Sequence, residues 1–478
     1  MCLPKDLKGV TIQRIVTLVG NILCLNFGIM FGITPAHMKL YMEEETPLNH
    51  VASLADVACI SGCLFASAAV GAIICGLLSQ RIGPRAMLLL SGLLQISSWF
   101  CIHFGYDILH IYSSRVFGGL AAGATFIVLP IFIAEISEEQ NISSLIATIE
   151  QWRTVGIMIG FILGQYLQYE YVGLVAACIS CAFTMMFPFS QESPYYYMRQ
   201  GDITGLEKSL RWFRGVRRMS DRNRPEFLRE LNGFKSNMEI NTIADKNIPL
   251  NYLLRMTLYT VLLVVGVQLS GVYVIFTWSE QILSNNVFIN LSTDVSVVIL
   301  SVTQFVGTTI TVWLAPLLTR KLLLFSAALI CAGASLGLAL CICIEVREEL
   351  KWASSGLLLV HIFFANMGLY PLISLIPTEM VHTQLRFCLT SLSWALSWLM
   401  IFILVQYYEY FLTLIGLHGY FIIFGVSCTC VAAFALFLLP ETRGKTSEEL
   451  QQIMGYENSA NVSQINISQS EHIRQEQF

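Results

Sequence analysis

Long apolar runs recur from one end of this chain to the other, interrupted once by a charged stretch, and they leave few folds open. By length, about twelve of them reach the roughly 20 residues that cross a hydrocarbon core as helix. They are 12–36, 53–78, 86–105, 110–134, 144–167 and 171–190, then 252–283, 293–317, 322–344, 354–378, 387–412 and 418–438. Backbone donors and acceptors cannot be left open to lipid, so each run must satisfy its own hydrogen bonds as helix. The runs are also too long and too continuously apolar for barrel strands. Composition agrees, with 55% hydrophobic and only 13% charged residues, about half the charge of a soluble domain.

The polar stretch from Gln191 to Asn251 divides the chain. The expected organisation is a six-helix bundle over 1–190, a cytoplasmic linker with short amphipathic helices over 191–251, a second six-helix bundle over 252–440 and a largely disordered cytoplasmic tail over 441–478. Lys and Arg set the orientation. Lys5, Lys8, Arg81, Arg85, the linker's basic residues, Arg320, Lys321, Arg386, Arg443 and Lys445 gather on one side, against Lys39, Arg115, Arg347 and Lys351 on the other. The first side is expected to be cytoplasmic and to hold both chain ends. Asn290-Leu-Ser292 then falls in an external loop and is a candidate glycosylation site, whereas Asn141, Asn461 and Asn466 lie inside.

Several function classes have no support. No basic stripe with interleaved aromatics suggests nucleic acid, and no nucleophile–base constellation or nucleotide motif suggests an enzyme. The net charge of −4 is small. The 14 cysteines lie mostly inside apolar runs, where they read as small packing residues, so neither disulfides nor a metal or other cofactor is expected.

The two halves repeat one another. Arg81-Ile-Gly-Pro-Arg85 follows the second run and Thr319-Arg320-Lys321 the eighth. Ile133-Ala-Glu135 ends the fourth and Pro377-Thr-Glu379 the tenth. Glu192-Ser-Pro194 follows the sixth and Pro440-Glu-Thr-Arg443 the twelfth. Helix breakers fall in the first, fourth, seventh and tenth runs at Pro35, Pro130, Gly266, Gly271, Pro371 and Pro377. Broken helices at corresponding places in two halves point to a central transport site.

On these residues the chain resembles the sugar porter family of the major facilitator superfamily, which includes insect trehalose-type and glucose-type facilitators. Leu439-Pro-Glu-Thr-Arg-Gly-Lys-Thr-Ser-Glu-Glu-Leu450 looks like the family's closing motif. Arg115 with Gly119, Gly123, Pro130 and Glu135 resembles the fourth-helix motif, Glu192-Ser-Pro194 the motif after helix six, and Gln268-Leu-Ser-Gly271 that of helix seven. Glu379, Arg386 and Trp398 resemble the pattern of helices ten and eleven. The resemblance implies an all-α membrane protein with the twelve-helix major facilitator fold, two six-helix bundles and cytoplasmic N- and C-termini. Departures fall in the cytoplasmic loops, at Gln80, Pro84, Ile142 and Ser143, which predicts a weakened latch between the halves, and at the sugar contacts: Val267 and Tyr273 in helix seven, Ser374 in helix ten, Ser397 before Trp398, and Glu150 where the family has a sugar-contacting Gln.

The resemblance places a small-molecule sugar among Gln268, Trp398, Glu150, Gln151, Thr303, Gln304, Ser397 and Tyr273. Amides and hydroxyls suit a sugar's hydroxyls, and an aromatic wall suits its C–H faces. It also implies that Arg81, Arg85, Glu135, Glu192, Glu379, Arg386, Glu441 and Arg443 form ion pairs latching the inner ends of the two halves together. Charges within a spanning helix are costly. Glu150 and Arg153, three residues apart, share a helix face, and pairing, snorkelling of Arg153 and substrate or proton coupling by Glu150 all remain open. Methionine in Phe27-Gly-Ile-Met30 occupies the place of an acid carried by proton-coupled relatives, which favours facilitative uniport of a hexose or a disaccharide such as trehalose at the plasma membrane. A sugar sensor that does not transport, and a proton symporter using Glu150, are the alternatives.

Overall fold

A computed structural model describes residues 9–216, 225–244, 250–284, 292–344, 351–380, 386–443, 445, 449–450 and 453. All regular structure among them is helical. Among the described residues twelve helices are long and apolar enough to span a bilayer: Gly9–Met42, Leu54–Ser79, Pro84–His103, Ile108–Ile136, Glu139–Tyr166 and Tyr169–Phe189 in the first half, then Asn251–Thr277, Val295–Leu314, Arg320–Cys343, Lys351–Met380, Phe387–Gln406 and Tyr408–Phe437. They are called the first to twelfth spans below.

Three of the four spans that carry breakers are irregular for identifiable reasons, while the fourth runs as one helix over Ile108–Ile136 with Pro130 inside it. The first runs as helix over Gly9–Gly32 and again over Thr34–Met42. Pro35 has no N–H to continue the ladder, and the Thr34 hydroxyl donates to the Met30 carbonyl at 2.9 Å. The seventh stops at Gln268 and resumes at Val272, with Gly271 between them at φ +84°. That backbone region is open to glycine at no steric cost. The tenth contains a π turn over Ala365–Leu369 ahead of Pro371 and Pro377.

The halves meet along two seams. The second span packs on the eleventh, from Gln406 Nε2 donating to Cys59 Sγ at 3.1 Å near one face to Gly76 against Ser391 near the other. The fifth packs on the eighth, where Gln151 Nε2 donates to Thr309 Oγ1 at 3.1 Å and the Thr154 and Thr308 hydroxyls lie 3.0 Å apart. Facing hydroxyls and amides of this kind tie membrane helices together.

Helices over Pro194–Gln200, Ile203–Phe213 and Pro225–Ala244 follow the sixth span. Leu206, Leu210, Val216, Phe227, Leu231 and Phe234 gather into a separate small core. Asp202 caps the second of these helices by accepting from the Thr204 and Gly205 N–H groups at 3.0 Å, and Arg214 clamps Glu230 at 2.6 and 3.0 Å. The tail beyond 453 and Asn290 lie outside the described residues, as does the side chain of Arg386.

Candidate functional site

Midway through the membrane the fifth span carries the one buried carboxylate–guanidinium pair found inside a span among the described residues. Glu150 Oε2 accepts from Arg153 Nε at 2.5 Å, with side chains 3% and 1% exposed. Arg153 therefore does not snorkel to either surface. Its guanidinium reaches into the other half, where Nη2 donates to Asn366 Oδ1 at 3.3 Å. Gln304, turned so that its carbonyl oxygen faces the guanidinium, accepts at 3.0 and 3.2 Å. In the opposite orientation Gln304 Nε2 donates to Asn366 Oδ1 at 2.9 Å but also faces the donors of the guanidinium. The rings of Tyr273 and Tyr370 complete the surroundings, each with its centroid 5.5 Å from Arg153 Cζ. Arg153 thus sits in a cage made by the seventh, eighth and tenth spans, with its counter-ion one turn away on its own helix.

Beside this cage lies an aromatic cluster. The Trp398 ring stacks on Phe65 at 6.0 Å and meets Phe27 and Phe126 edge-on at 5.8 Å. Tyr273 joins it through Phe31 at 5.2 Å and Trp398 at 6.0 Å. In the same half several polar atoms are buried without a hydrogen-bond partner: Nε1 of Trp398 itself, the hydroxyl of the adjacent Ser397, the hydroxyl of Ser374 and both amide atoms of Gln268. A buried donor or acceptor left unmade costs about 1–3 kcal/mol. Such a set, all from one half, has the chemistry to bind water or a hydroxyl-bearing ligand.

Of the eight residues expected to contact substrate, Glu150, Gln304 and Tyr273 converge on Arg153, and Gln268, Ser397 and Trp398 supply the unpaired groups. Gln151 instead spans the seam between the halves. Thr303 is partly exposed, and its hydroxyl donates to the Ile299 carbonyl at 2.8 Å, so it serves its own helix. Asn366 and Tyr370 were not foreseen. An amide inside an apolar span was the available signal for Asn366, because polar groups at that depth need partners. Among the described residues no group of three or more His, Cys, Asp or Glu side chains could hold a metal ion.

The charged residues gathered at one set of span ends form two matching stations. In the first half, Glu192 Oε1 accepts from the Arg85 and Ser193 N–H groups at 3.0 Å. The Ser193 hydroxyl donates to Glu135 Oε2, and Glu135 Oε1 pairs with Arg199 at 3.1 Å. In the second half, Glu441 Oε1 accepts from the Arg320 N–H at 3.0 Å and its Oε2 from the Lys321 N–H at 3.2 Å. The Thr442 hydroxyl donates to Glu379 Oε2 at 2.5 Å, and Glu379 Oε1 pairs with Arg320 at 3.0 Å. Glu192 and Glu441 thus satisfy N–H groups in the first turns of the third and ninth spans, which have no partner within their own helix and sit at the positive end of its dipole. Burial pushes the Glu192 carboxyl above the usual carboxylate range, against the pull of its two N–H donors.

Among the described side chains these contacts form no latch between the halves. Each described ion pair closes within its own half, because the carboxylates are held by helix ends of the same bundle. Arg85 and Arg443 spend their guanidinium groups on the carbonyls of Pro188 and Leu317, and Arg81 is exposed. The contact that does cross is Arg199, whose Cζ lies 5.5 Å from the Phe387 ring centroid. Hydrogen bonds to charged groups contribute about 1.5–3 kcal/mol. Ser193→Ala and Thr442→Ala should each lower stability by about that amount, and by similar amounts if the stations are equivalent. Thermal unfolding of the purified protein in detergent checks both.

Twelve spans in two similar bundles, with broken helices around a buried polar centre, define a multi-pass membrane protein. The Sugar (and other) transporter family model matches residues 14–454, and the chain belongs to that family. It is 23% identical over 459 residues to the facilitated trehalose transporter Tret1 of Apis mellifera ligustica, covering 94% of this chain and 90% of that protein. It is 24% identical over 404 residues to the Aedes aegypti protein of the same name, where the match covers 83% of this chain but only 49% of the relative. Among solved structures, the proton:xylose symporter XylE bound to 6-bromo-6-deoxy-D-glucose superposes with a TM-score of 0.78 at 17% identity, covering 93% of this chain and 99% of that one. These relatives are transporters, not enzymes, and this chain is a multi-pass membrane protein of the same fold.

Proposed function

We propose that this protein carries a neutral sugar, a hexose or a disaccharide such as trehalose, down its gradient across the plasma membrane by alternating access. The observation carrying this reading is the set of unpaired buried groups of Gln268, Ser374, Ser397 and Trp398 beside a wall of aromatic rings. Hydroxyls would satisfy the first and C–H faces would lie on the second. The trehalose transporters of Apis and Aedes favour the same substrate class. Uniport is favoured over symport because Met30 stands in the first span where proton-coupled relatives carry an acid. Glu150, the acid that remains nearby, is tied to Arg153.

Reconstituted into liposomes, the protein should equilibrate labelled trehalose or glucose without accumulating it, at a rate indifferent to a pH gradient. Accumulation driven by inward protons and lost in Glu150→Gln would replace this reading with symport. Saturable binding with no flux would replace it with a sugar receptor.

A further inference from the structure

We propose that the Arg153 guanidinium is a tethered occupant of the sugar site, which fills a cage in the opposite half and is displaced when a sugar enters. This rests on the reading of the centre as a sugar site. The cage consists of Gln304, Asn366, Tyr273 and Tyr370, so all of it belongs to the second half, while Arg153 belongs to the first. Two amide oxygens accept from the guanidinium, and two ring faces lie against it. The same groups suit a sugar, whose hydroxyls would replace the guanidinium as donors and whose C–H faces would lie on the rings. Occupant and ligand therefore compete for one set of partners.

The position of Glu150 makes the occupancy reversible. A guanidinium withdrawn from the cage would normally be left as a bare buried charge, which is strongly unfavourable. Here Arg153 keeps Glu150 as counter-ion on its own helix, three residues away, whether or not the cage holds it. The pair travels as a neutral unit with the first half. When the halves rock apart the cage empties, and when they close it refills with either the sugar or Arg153. An unloaded carrier is thereby held closed by its own side chain, and a ligand must exceed that internal competitor to bind. A sugar offering donors at both amides and an apolar face to both rings meets this requirement best, which makes Arg153 a determinant of specificity.

The test removes the occupant without stranding a charge. In the variant Glu150→Gln/Arg153→Ala, half-saturation for trehalose or glucose uptake into liposomes should fall about tenfold, the equivalent of about 1.4 kcal/mol. A second readout does not depend on the sugar. Cys24 is buried in the first span, three and seven residues before Phe27 and Phe31, and so on the helix face that meets Trp398 and Tyr273. Its labelling by a water-soluble thiol reagent, followed by mass spectrometry, should also accelerate about tenfold in the double variant. Arg153→Lys keeps the charge opposite Glu150 but lacks the planar fork. It should move both readouts in the same direction by a smaller factor, and it stands in if the double variant does not fold. Unchanged half-saturation and unchanged Cys24 labelling in a folded variant would overturn the proposal. A raised half-saturation would overturn it too, since Arg153 would then be a ligand of the sugar. If no variant moves sugar but Cys24 labelling accelerates, the lock stands and the sugar reading fails. If uptake is present and labelling does not change, the reverse holds.

Discussion

Arg153→Ala alone should be among the most damaging single substitutions in this protein. It leaves the Glu150 carboxyl, 3% exposed, without its partner at 2.5 Å. Removing one member of a buried ion pair costs about 3–5 kcal/mol, because the remaining charge is uncompensated. Gln304 and Asn366 lose their donor in the same step, and each buried acceptor left unmade adds about 1–3 kcal/mol where water cannot reach it. Folded proteins hold only about 5–15 kcal/mol in reserve, so a sharp fall in the thermal midpoint and in the yield of monodisperse protein is expected. A second substitution, Glu150→Gln, should restore most of the loss by removing the stranded charge. The strength of this rescue separates a charge effect from a packing effect, since neighbouring residues show their coupling in a double-mutant cycle. If Arg153→Ala melts with the native protein, the pair is not the buried ion pair described above.

Much of the architecture could be read from the sequence, because lipid imposes one rule on every span. The number of spans and the helix breakers in the first, seventh and tenth spans follow from length and backbone satisfaction. The duplication was visible in Glu135, Glu192, Glu379 and Glu441, and its physical content is the pair of matching stations. Yet Ser193 and Thr442, which follow Glu192 and Glu441 directly, complete those stations and were read only as motif letters. Arg320, read as a topology signal, is the partner of Glu379.

Less of the centre could be read, also for a physical reason. In water, the alternation of polar and apolar residues shows which face of a helix is buried. In a bilayer both the lipid-facing and the protein-facing sides are apolar, so that signal fades. Thr303, Thr308 and Thr309 look alike in the sequence, but the first bonds its own helix while the other two meet Thr154 and Gln151 across the seam. Asn366 and Tyr370 come within reach of Arg153 only once the tenth span packs against the fifth. The described ion pairs at the span ends close within each half, and a list of charges does not tell which helix end each one caps.

Gly156→Leu should prevent the first half from assembling. The first and fifth spans touch backbone to backbone, with Gly28 and Gly156 facing one another. A Cβ at Gly156 would land on the Leu25 carbonyl, and one at Gly28 on the Arg153 carbonyl. Small residues at such seams let membrane helices approach closely, and the obstacle here is main chain, which cannot swing aside as a side chain can. Overpacking of a tight interior costs about 1–3 kcal/mol even where neighbours adjust; here the adjustment must separate two spans. That separation would also move Arg153 relative to its cage and Phe27 and Phe31 relative to Trp398 and Tyr273, so the candidate site would be lost with the seam. Gly156→Ala should already be harmful. Gly333→Ala provides the control, because nothing lies within 4 Å of a Cβ there and replacing a helical glycine with alanine is worth roughly 0.8–1.0 kcal/mol in its favour. Thermal unfolding and size-exclusion profiles of the three variants should therefore rank Gly333→Ala at or above the native protein, with Gly156→Ala well below it and Gly156→Leu lowest. Equal behaviour of Gly156→Leu and Gly333→Ala would mean that these two spans do not touch as described.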